Sequence, residues 1–311
     1  MIFLDLSEGL GNQMFQYAFA RKLQEVYKEA ICLDIISYER NKKGRKYSLD
    51  NFSLSSNSYH MSKTAMRLLD SYAKLYRKLL IQRKVDLRAP HKMLSYESKG
   101  FYLNNNTFEY IDYQYNSKKR IKYVLGSWMN PRFFNEIRDK LIMDFSLKHQ
   151  LEESKKIKLE EIRKCNSVCV HIRRGDYLAP EWSFLNVCGE LYYKRAVERL
   201  KSKLNNPVFY VFSNSSEDIA WIKDNYYFLN DCRYVDMDNA DYEDFELMKN
   251  CKHFIISNST YSWWAQYLAE NQKKIVIAPD IWTSGETEKG WNGGRNPLGI
   301  YQKNWDIVCT K

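Results

Sequence analysis

Short apolar runs alternate with amphipathic segments along most of the chain. In the second half, apolar runs of strand length precede stretches with helical periodicity, as at residues 168–172 and 190–203. The same alternation opens the chain, where residues 2–6 precede a helical pattern over residues 13–27. Such alternation predicts parallel sheets with helices on both faces. We therefore expect an α/β protein.

The same periodicities predict the other elements. Further predicted strands are residues 31–35, 124–128, 208–213, 233–235, 253–257 and 274–278. Further predicted helices are residues 61–80, 132–141, 148–164, 217–225, 241–249 and 262–270. A chain of 311 residues is long enough for two domains with separate cores. The charged 148–164 segment is the expected boundary, which gives domains 1–155 and 156–311.

Composition places the chain among soluble globular proteins, with 44% hydrophobic and 28% charged residues. Its seven cysteines are odd in number and scattered, which favours a reducing compartment. No apolar run reaches the roughly 18 residues of a membrane helix. The amino terminus lacks the basic and long apolar regions of a secretory signal. These features predict a cytoplasmic protein.

The chain carries 48 basic and 38 acidic residues, a net charge of +10, which favours anionic partners. No zinc-type spacing or RNA-binding signature accompanies the charge, so nucleic acid is not an expected partner. Residues 60–90 hold eight basic side chains in an amphipathic pattern. This segment is either a helix that contacts an anionic membrane or a packed helix with a solvated basic face.

The most informative segment is V-C-V-H-I-R-R-G-D-Y, residues 168–177. Arg173, Arg174 and Asp176 directly follow a predicted buried strand, at the end where open α/β sheets bind ligands. The planar fork of an arginine matches phosphate oxygens. This arrangement predicts a phosphate or diphosphate site. The alternative is an arginine pair that forms salt bridges with neighbouring carboxylates.

A second candidate anion site is the S-N-S-T segment between a predicted strand and a predicted helix. Ser257, Asn258, Ser259 and Thr260 would place small hydroxyls and amide groups at a helix amino terminus, where anions bind. The alternative is capping of that helix by Ser259, Thr260 or Ser262. Capping and anion binding are compatible with each other.

Three segments also carry a family resemblance. H-I-R-R-G-D-Y resembles the H-x-R-R-x-D signature of the α1,2-fucosyltransferases of glycosyltransferase family 11, which α1,6- and protein O-fucosyltransferases share in looser form. Residues 9–20, G-L-G-N-Q-M-F-Q-Y-A-F-A, are similar to the amino-terminal signature of that family. Residues 257–268, S-N-S-T-Y-S-W-W-A-Q-Y-L, look like its carboxyl-terminal signature.

The resemblance implies a fold, a reaction and partners. The fold would be GT-B, two Rossmann-like domains facing across a cleft, with the acceptor in the first and GDP-fucose in the second. The reaction would be inverting transfer of L-fucose from GDP-β-L-fucose to the 2-hydroxyl of a galactoside. The acceptor would be a galactose-containing oligosaccharide, lipid-linked or free, in surface glycan or O-antigen synthesis.

Two other functions stay open at this point. One is a transferase that uses another nucleotide-sugar, and the other is a non-catalytic glycan-binding protein on this scaffold. Animal members of the family carry an amino-terminal membrane anchor that this sequence lacks, which points to the bacterial type. The segment after residue 285, with its G-W-N-G-G run, is expected to loop back toward the first domain.

The resemblance also implies residue roles in the donor site. Arg173 would contact the β-phosphate of GDP and stabilise the charge that grows there as the sugar bond breaks. His171 would help to hold the nucleotide, or else be a buried histidine with one hydrogen bond. Asp176 would orient the arginines, and Arg174 would be structural. The only D-x-D letters lie in an unsuitable place, so neither a metal nor a cofactor is expected.

The remaining candidates rest on resemblance alone. Asp244 would accept the two donors of the guanine edge, although residues alone do not favour it over Asp241 or Glu243. Asn12, expected in the loop after the first strand, matches an asparagine important for catalysis in protein O-fucosyltransferases. Glu8 stands where the family usually has glycine. It would be either a general base for the acceptor hydroxyl or merely an exposed side chain.

Overall fold

The computed structural model describes residues 1–39, 45–83, 89–104, 108–284 and 299–311. The chain divides into two compact units, Met1–Lys148 and His149–Lys311. Each unit contains a parallel sheet with helices packed on it. The predicted α/β class is therefore confirmed. The G-W-N-G-G run lies outside the described residues.

The amino-terminal unit is built on a five-stranded sheet. Its strands are β1 (Ile2–Asp5), β2 (Ile31–Asp34), β3 (Ser58–Tyr59), β4 (Phe101–Asn104) and β5 (Lys122–Gly126). They lie in the order β3-β2-β1-β5-β4, and every neighbouring pair is parallel. The chain runs from β1 outward through β2 to β3, then crosses to β4 at the other edge of the sheet and returns to β5 beside β1. The strand order therefore reverses between β1 and β5.

The helices of this unit are α1 (Leu10–Tyr27), α2 (Ile36–Glu39), α3 (Lys63–Gln82), α4 (Pro90–Glu97) and α5 (Arg138–Asp144). Helix α1 is buried along much of its length, because Phe15 and Phe19 pack into the aromatic core of the unit. It ends where Lys28 adopts a left-handed conformation with a φ of 55°. A lysine can occupy this conformation at modest cost, and its N–H caps the helix.

The carboxyl-terminal unit has a six-stranded sheet. Its strands are β6 (Asn166–His171), β7 (Pro207–Phe212), β8 (Arg233–Tyr234), β9 (His253–Ile255), β10 (Val276–Pro279) and β11 (Asp306–Val308). The order is β11-β10-β9-β6-β7-β8, again parallel throughout. Its helices are α6 (Glu153–Lys164), α7 (Glu190–Lys203), α8 (Ser216–Asn225), α9 (Asp241–Lys249) and α10 (Thr260–Leu268).

Strand order in this unit determines where a ligand can bind. The chain runs from β6 outward through β7 and β8, and then from β9 outward on the other side, so the order reverses between β6 and β9. Loops diverge at such a reversal and leave a crevice at the carboxyl ends of the strands. The two predicted anion-binding segments, 173–176 and 257–260, follow β6 and β9. They therefore lie at the same edge of the sheet.

Several local predictions differ from the structure. The predicted helix over residues 132–141 begins as two 3₁₀ turns, and α5 starts only at Arg138, because Phe134 has an extended φ of −144° that interrupts the helix. Strands β3, β4 and β11 and helix α4 were not predicted, since they are short and lack a clear period. The helix expected from residue 148 begins at Glu153, so the predicted boundary at 155/156 lies in its first turn.

Candidate active site

His171 ends strand β6 and is fixed from two sides. Its Nδ1 lies 2.9 Å from Ser257 Oγ, and the Tyr193 hydroxyl donates to its main-chain carbonyl at 3.2 Å. Burial, with the neighbouring Arg173 charge, lowers the pKa of His171 to about 3. The imidazole is therefore neutral at physiological pH. It joins the end of β6 to the loop after β9 instead of contributing charge.

Arg173 is oriented by the next turn of the chain. Its Nη2 donates to Asp176 Oδ1 at 2.6 Å, and its guanidinium lies 5.3 Å from the centre of the Tyr177 ring. Its Nε is buried and has no hydrogen-bond partner among the described residues. Leaving a buried charged donor unpaired is unfavourable. An anionic ligand oxygen would satisfy this donor.

Arg174 has a different environment from its neighbour. Its Nε donates to Asp218 Oδ1 at 3.2 Å, and its guanidinium lies 3.3 Å from the centre of the Trp221 ring. Its main-chain N–H donates to Asn214 Oδ1 at 3.0 Å. The side chain thus fastens the loop after β6 to helix α8. Both arginines form the salt bridges of the alternative, Arg173 with Asp176 and Arg174 with Asp218. Arg173 differs in that its buried Nε also lacks a partner among the described residues.

Gly175 is required by the shape of this loop. Its φ is +47°, a conformation that side chains disfavour, and a Cβ would lie 3.0 Å from the Asn214 amide. Its N–H donates to Asp218 Oδ2 at 3.2 Å. The glycine of the R-R-G-D motif therefore allows the turn that brings Asp176 back against Arg173.

The loop after β9 combines capping with internal hydrogen bonds. Ser259 Oγ accepts from the Tyr261 N–H at 3.3 Å, so the capping alternative is observed at Ser259. Thr260 opens helix α10 and is half-buried. The positive end of the α10 dipole lies at this loop and favours an anion.

Asn258 was expected to contact the ligand, but its side-chain amide donates to main-chain carbonyls instead. Its Nδ2 donates to the carbonyls of Leu185 and Trp282, both at 2.8 Å, which occupies both amide hydrogens. Its main-chain carbonyl accepts from the Tyr177 hydroxyl at 3.4 Å. Its side chain therefore holds the loop in place. Because Tyr177 also lies against Arg173, this contact ties the two predicted anion segments together.

Tyr261 connects the end of β6 to helix α9 and was not predicted. Its ring centre lies 5.6 Å from His171 and 5.6 Å from Phe245, and its hydroxyl donates to the Asp241 carbonyl. Burial raises the pKa of the Tyr261 hydroxyl well above its ordinary value. The signal available in the sequence was an aromatic residue directly after S-N-S-T.

Asp244 and Asn239 form a polar pair at the start of α9. Asn239 Nδ2 donates to Asp244 Oδ1 at 2.6 Å. Asn239 Oδ1 is buried, and no hydrogen-bond partner for it occurs in the described part of the chain. Burial raises the pKa of Asp244 to about 7, although the Asn239 hydrogen bond opposes the shift. The pair therefore offers an unsatisfied acceptor beside a carboxyl that titrates near neutrality.

The structure distinguishes Asp244 from the two other acids considered for its role. Glu243 accepts from Lys155 Nζ at 2.7 Å and from the Ala240 N–H at 2.8 Å, so it caps α9 and joins that helix to α6. Asp241 is exposed at the first position of α9. Asp244 accepts from Asn239, whose Oδ1 has no hydrogen-bond partner among the described residues.

Asn12 lies in helix α1 and not in the loop after the first strand. The helix begins at Leu10, earlier than expected, because Gly9 adopts the extended conformation of a capping residue. The Asn12 N–H donates to the Gly9 carbonyl at 2.9 Å. Its Oδ1 is buried without a hydrogen-bond partner in the residues described. The amide therefore has spare acceptor capacity at the carboxyl edge of the first sheet.

Glu8 has a left-handed backbone, with a φ of 69°. Its carbonyl accepts from Gln13 Nε2 at 3.1 Å and from the Tyr38 hydroxyl at 2.9 Å, which holds the loop in this conformation. The side chain is half-buried, so it is not fully exposed. Glycine is the residue best suited to this φ.

Three carboxylates of the amino-terminal unit could share a cation. Oxygens of Asp5, Asp34 and Asp70 lie within 4.8 Å of one another. Lys74 Nζ lies 2.6 Å from Asp70 Oδ1 and supplies a positive charge. Burial raises the pKa of Asp5 to about 6 and that of Asp34 to about 7. A proton shared within the group relieves the repulsion between the carboxylates.

Comparison with known proteins decides the family. The family model described as glycosyl transferase family 11 matches residues 1–308. The chain belongs to glycosyl transferase family 11. The resemblance carried by the three motifs is thus confirmed, and the protein is a glycosyltransferase.

Relatives within this family agree over most of the chain. An alpha-1,2-colitosyltransferase of Escherichia coli is 33% identical, covering 90% of this chain and 92% of its own length. The O-antigen biosynthesis glycosyltransferase WbnK of Escherichia coli is 30% identical, covering 91% and 95%. The galactoside alpha-(1,2)-fucosyltransferase 1 of Homo sapiens is 30% identical over a shorter region, 44% of this chain and 40% of that protein.

A solved structure supports the fold of this family 11 enzyme. The fucosyltransferase NodZ from Bradyrhizobium matches with a TM-score of 0.51 and 11% identity, covering 86% of this chain and 93% of that chain. At this identity the likeness shows the fold alone. The predicted GT-B class is confirmed. Of the helices that the structure describes, none is long and apolar enough to cross a membrane.

Proposed function

We propose that this family 11 glycosyltransferase moves L-fucose from GDP-β-L-fucose to the 2-hydroxyl of a galactoside, with inversion. The observation that carries the proposal is Arg173, whose Asp176 partner orients it while its buried Nε lacks a partner in the described chain. A charged donor held this way at the reversal of strand order suits a diphosphate leaving group. The proposed donor unit is residues 156–311, and the proposed acceptor unit is residues 1–155.

In the proposed reaction the acceptor oxygen forms a bond to the sugar C1 as the bond from C1 to the β-phosphate oxygen breaks. The acceptor hydroxyl loses its proton in this step, and the departing GDP phosphate takes it up. Negative charge grows on the β-phosphate, and the Arg173 guanidinium stabilises it more strongly than it stabilises the ground state. The α10 amino terminus, with Ser257, Ser259 and Thr260 nearby, adds main-chain N–H donors and a positive dipole. Neutral His171 keeps the two loops in register.

Recognition of guanine is assigned to Asp244, with Asn239 beside it. An ionised carboxylate accepts two N–H donors of the guanine edge, which adenine does not present. The partnerless Asn239 Oδ1 supports the assignment, because a buried acceptor next to Asp244 also calls for a donor. Since the pKa of Asp244 is about 7 before donor binds, binding should be coupled to loss of a proton.

The colitosyltransferase relative supports a second donor sugar. Colitose is the 3-deoxy form of fucose, and the relative at 33% identity is named for its transfer. The test is a GDP-release assay that compares GDP-fucose with GDP-colitose across galactosides of different linkage. Faster release from GDP-fucose is expected. Faster release of GDP from GDP-colitose would contradict the proposed donor sugar, fucose, but not the proposed GDP site.

The same assay addresses the two other functions. Inhibition by GDP and not by UDP is expected, and the reverse would indicate another nucleotide-sugar. Any acceptor-dependent turnover would exclude a non-catalytic glycan-binding protein. Activity is expected to survive EDTA, because Arg173 and the α10 amino terminus take the part of a metal. Loss in EDTA that Mg²⁺ or Mn²⁺ restores would overturn this.

We also assign the enzyme to surface glycan or O-antigen synthesis, acting on a lipid-linked galactoside from the cytoplasmic side of the inner membrane. The O-antigen relative WbnK and the net charge of +10 support this assignment. Transfer to a lipid-linked galactoside at a rate above that for the free oligosaccharide would support it. Equal rates for both would favour a soluble acceptor.

A further inference from the structure

Helix α3 presents an apolar stripe whose leucines are exposed in the described part of the chain. Met66, Ala73 and Leu80 form its buried face. The stripe comprises Leu68, Leu75 and Leu79, whose spacing of seven and four residues places them together on one side of the helix. Tyr72 lies on the same side, with its ring 5.5 Å from that of Tyr123. Leu68 is 69% exposed, Leu75 56% and Leu79 41%. Three leucines exposed together on one helix are unusual for a surface that meets only water.

The flank of α3 beside this stripe is basic. Lys63, Arg67, Lys74 and Lys78 project from it at spacings of four, seven and four residues, and all four are exposed. Glu39 lies 2.9 Å from Lys63 Nζ and 3.6 Å from Arg67 Nη2, so that pair is partly neutralised. The helix contains one acid, Asp70, which is buried and lies 2.6 Å from Lys74 Nζ, so Lys74 is partly neutralised as well. The exposed surface of α3 is thus an apolar stripe with a cationic flank.

We propose that α3 is an interfacial helix whose apolar stripe enters the acyl boundary of an anionic bilayer. Basic side chains beside the stripe would then lie at the level of the headgroups, as in interfacial amphipathic helices. This inference rests on the proposed function, because membrane binding would bring the enzyme to the lipid-linked acceptor proposed above. Of the basic residues in the 60–90 segment, Lys84 and Arg88 lie outside the described residues and take no part in it.

Charge argues for a bilayer over a second copy of the chain. Two copies joined through this face would bring two cationic flanks together, in a protein that already carries +10. An anionic headgroup layer is complementary to that flank. It also accepts leucine side chains without needing a matching groove, whereas an acidic protein would have to supply one.

The experiment is co-sedimentation of the full chain with vesicles of phosphatidylglycerol and phosphatidylcholine, and with phosphatidylcholine alone. The test variant is L68Q/L75Q/L79Q, which keeps helix-forming residues on the surface. Its matched control is M143Q/I157Q, since Met143 is 71% exposed and Ile157 56% exposed on other helices. The stripe variant should partition at least about tenfold less onto anionic vesicles, and the control should bind like wild type.

A charge variant, K63Q/K78Q, provides an independent arm with little risk to folding. It should lose at least about tenfold in partitioning at low salt, and its difference from wild type should shrink as salt rises. Weak binding of wild type to anionic vesicles, or equal binding of wild type and the stripe variant, would overturn the proposal. A wild-type dimer in sedimentation that the stripe variant abolishes would assign the stripe to a second copy instead. Specific capture of an acidic protein without vesicle binding would assign it to that protein.

All variants are also assayed for GDP release with a soluble galactoside. Unchanged release together with lost vesicle binding is the expected result for the stripe variant. Absence of fucosyl transfer by a wild-type protein that still binds vesicles would overturn the proposed function and leave the membrane surface standing. Normal fucosyl transfer by a wild-type protein that does not bind vesicles would overturn the membrane surface and leave the proposed function standing.

Discussion

The carboxyl edges of the two sheets differ in the features that shape their loops. In the carboxyl-terminal unit, the edge at β6 and β9 carries side chains held by one another, such as His171 with Ser257 and Arg173 with Asp176. In the amino-terminal unit, the edge at β1 and β5 carries unusual backbone instead. Glu8 has a φ of 69°, and Trp128, with a φ of 58°, turns back to stack on Phe19 at 3.6 Å.

The difference reflects what each edge has to do in the proposed reaction. Stabilising the charge of a leaving diphosphate requires fixed donors, so side-chain orientation is specified by hydrogen bonds. The first edge holds clustered carboxylates, those of Asp5, Asp34 and Asp70, which do not suit a diphosphate, and it places a tryptophan in the core. Much of the G-S-W-M-N-P segment, residues 126–131, therefore serves packing. We infer that residues of the carboxyl-terminal unit form the donor site, whereas the shape of loops in the amino-terminal unit determines acceptor specificity.

The strongest test of the comparison is Arg173. Arg173→Ala and Arg173→Lys should each lower kcat at least about a hundredfold, because neither retains a planar donor fork on the β-phosphate. The matched control is Arg174→Lys, which should destabilise the loop while keeping kcat within a few-fold. Single-turnover kinetics with GDP-fucose would measure the rate of transfer by the Arg173 variants and by the Arg174→Lys control. Near-normal kcat in the Arg173→Lys variant would show that the planar contact is not used.

Asp244→Asn should weaken GDP binding by about 1–3 kcal/mol, because an amide donor then faces guanine donors. Binding requires the ionised carboxyl, whose pKa is about 7 without ligand, so wild-type affinity should rise between pH 6 and pH 8. That rise should be smaller in the variant. Calorimetry with Asp241→Asn as the control would measure it. Unchanged affinity would remove Asp244 as the guanine reader.

In the first unit the acidic group should make stability depend on pH. Burial raises the folded-state pKa of Asp5 to about 6 and of Asp34 to about 7, above the unfolded value of about 4. The folded state therefore holds more protons, so its stability should fall as pH rises from about 4 to 7. Asp34→Asn should reduce that fall by on the order of 1 kcal/mol. Urea unfolding at both pH values, with Asp112→Asn as the control, would check it, and an unchanged slope would refute it.

Glu8→Gly should have the smallest effect, a stabilisation of about 0.5–1 kcal/mol, because glycine adopts the left-handed conformation without a Cβ penalty. Activity should stay near wild type if the side chain takes no part in catalysis. Thermal unfolding and GDP release with Glu8→Gln as the companion variant would measure both. Loss of kcat in both variants, without loss of stability, would assign Glu8 as the general base.

Strong local patterns predicted most elements. Helices 190–203 and 241–249 match the structure residue for residue, since their periodicity and flanking residues agree. Edge strands such as Asp306–Val308 were missed because so short a strand carries no period. Helix α1 starts earlier than expected, since its capping Gly9 satisfies the backbone without a polar side chain.

By itself the sequence determined the α/β class and the family and indicated two candidate anion-binding segments, because periodicity and motif spacing are local properties of the chain. Only the tertiary structure decided which of two adjacent arginines keeps an unpartnered donor, which of three acids pairs with an amide, and which leucines of α3 remain uncovered. Each of these depends on residues distant in sequence: Asp218 and Trp221 engage Arg174, and Lys155 engages Glu243. Partner choice between such groups is set by packing, which no local pattern encodes.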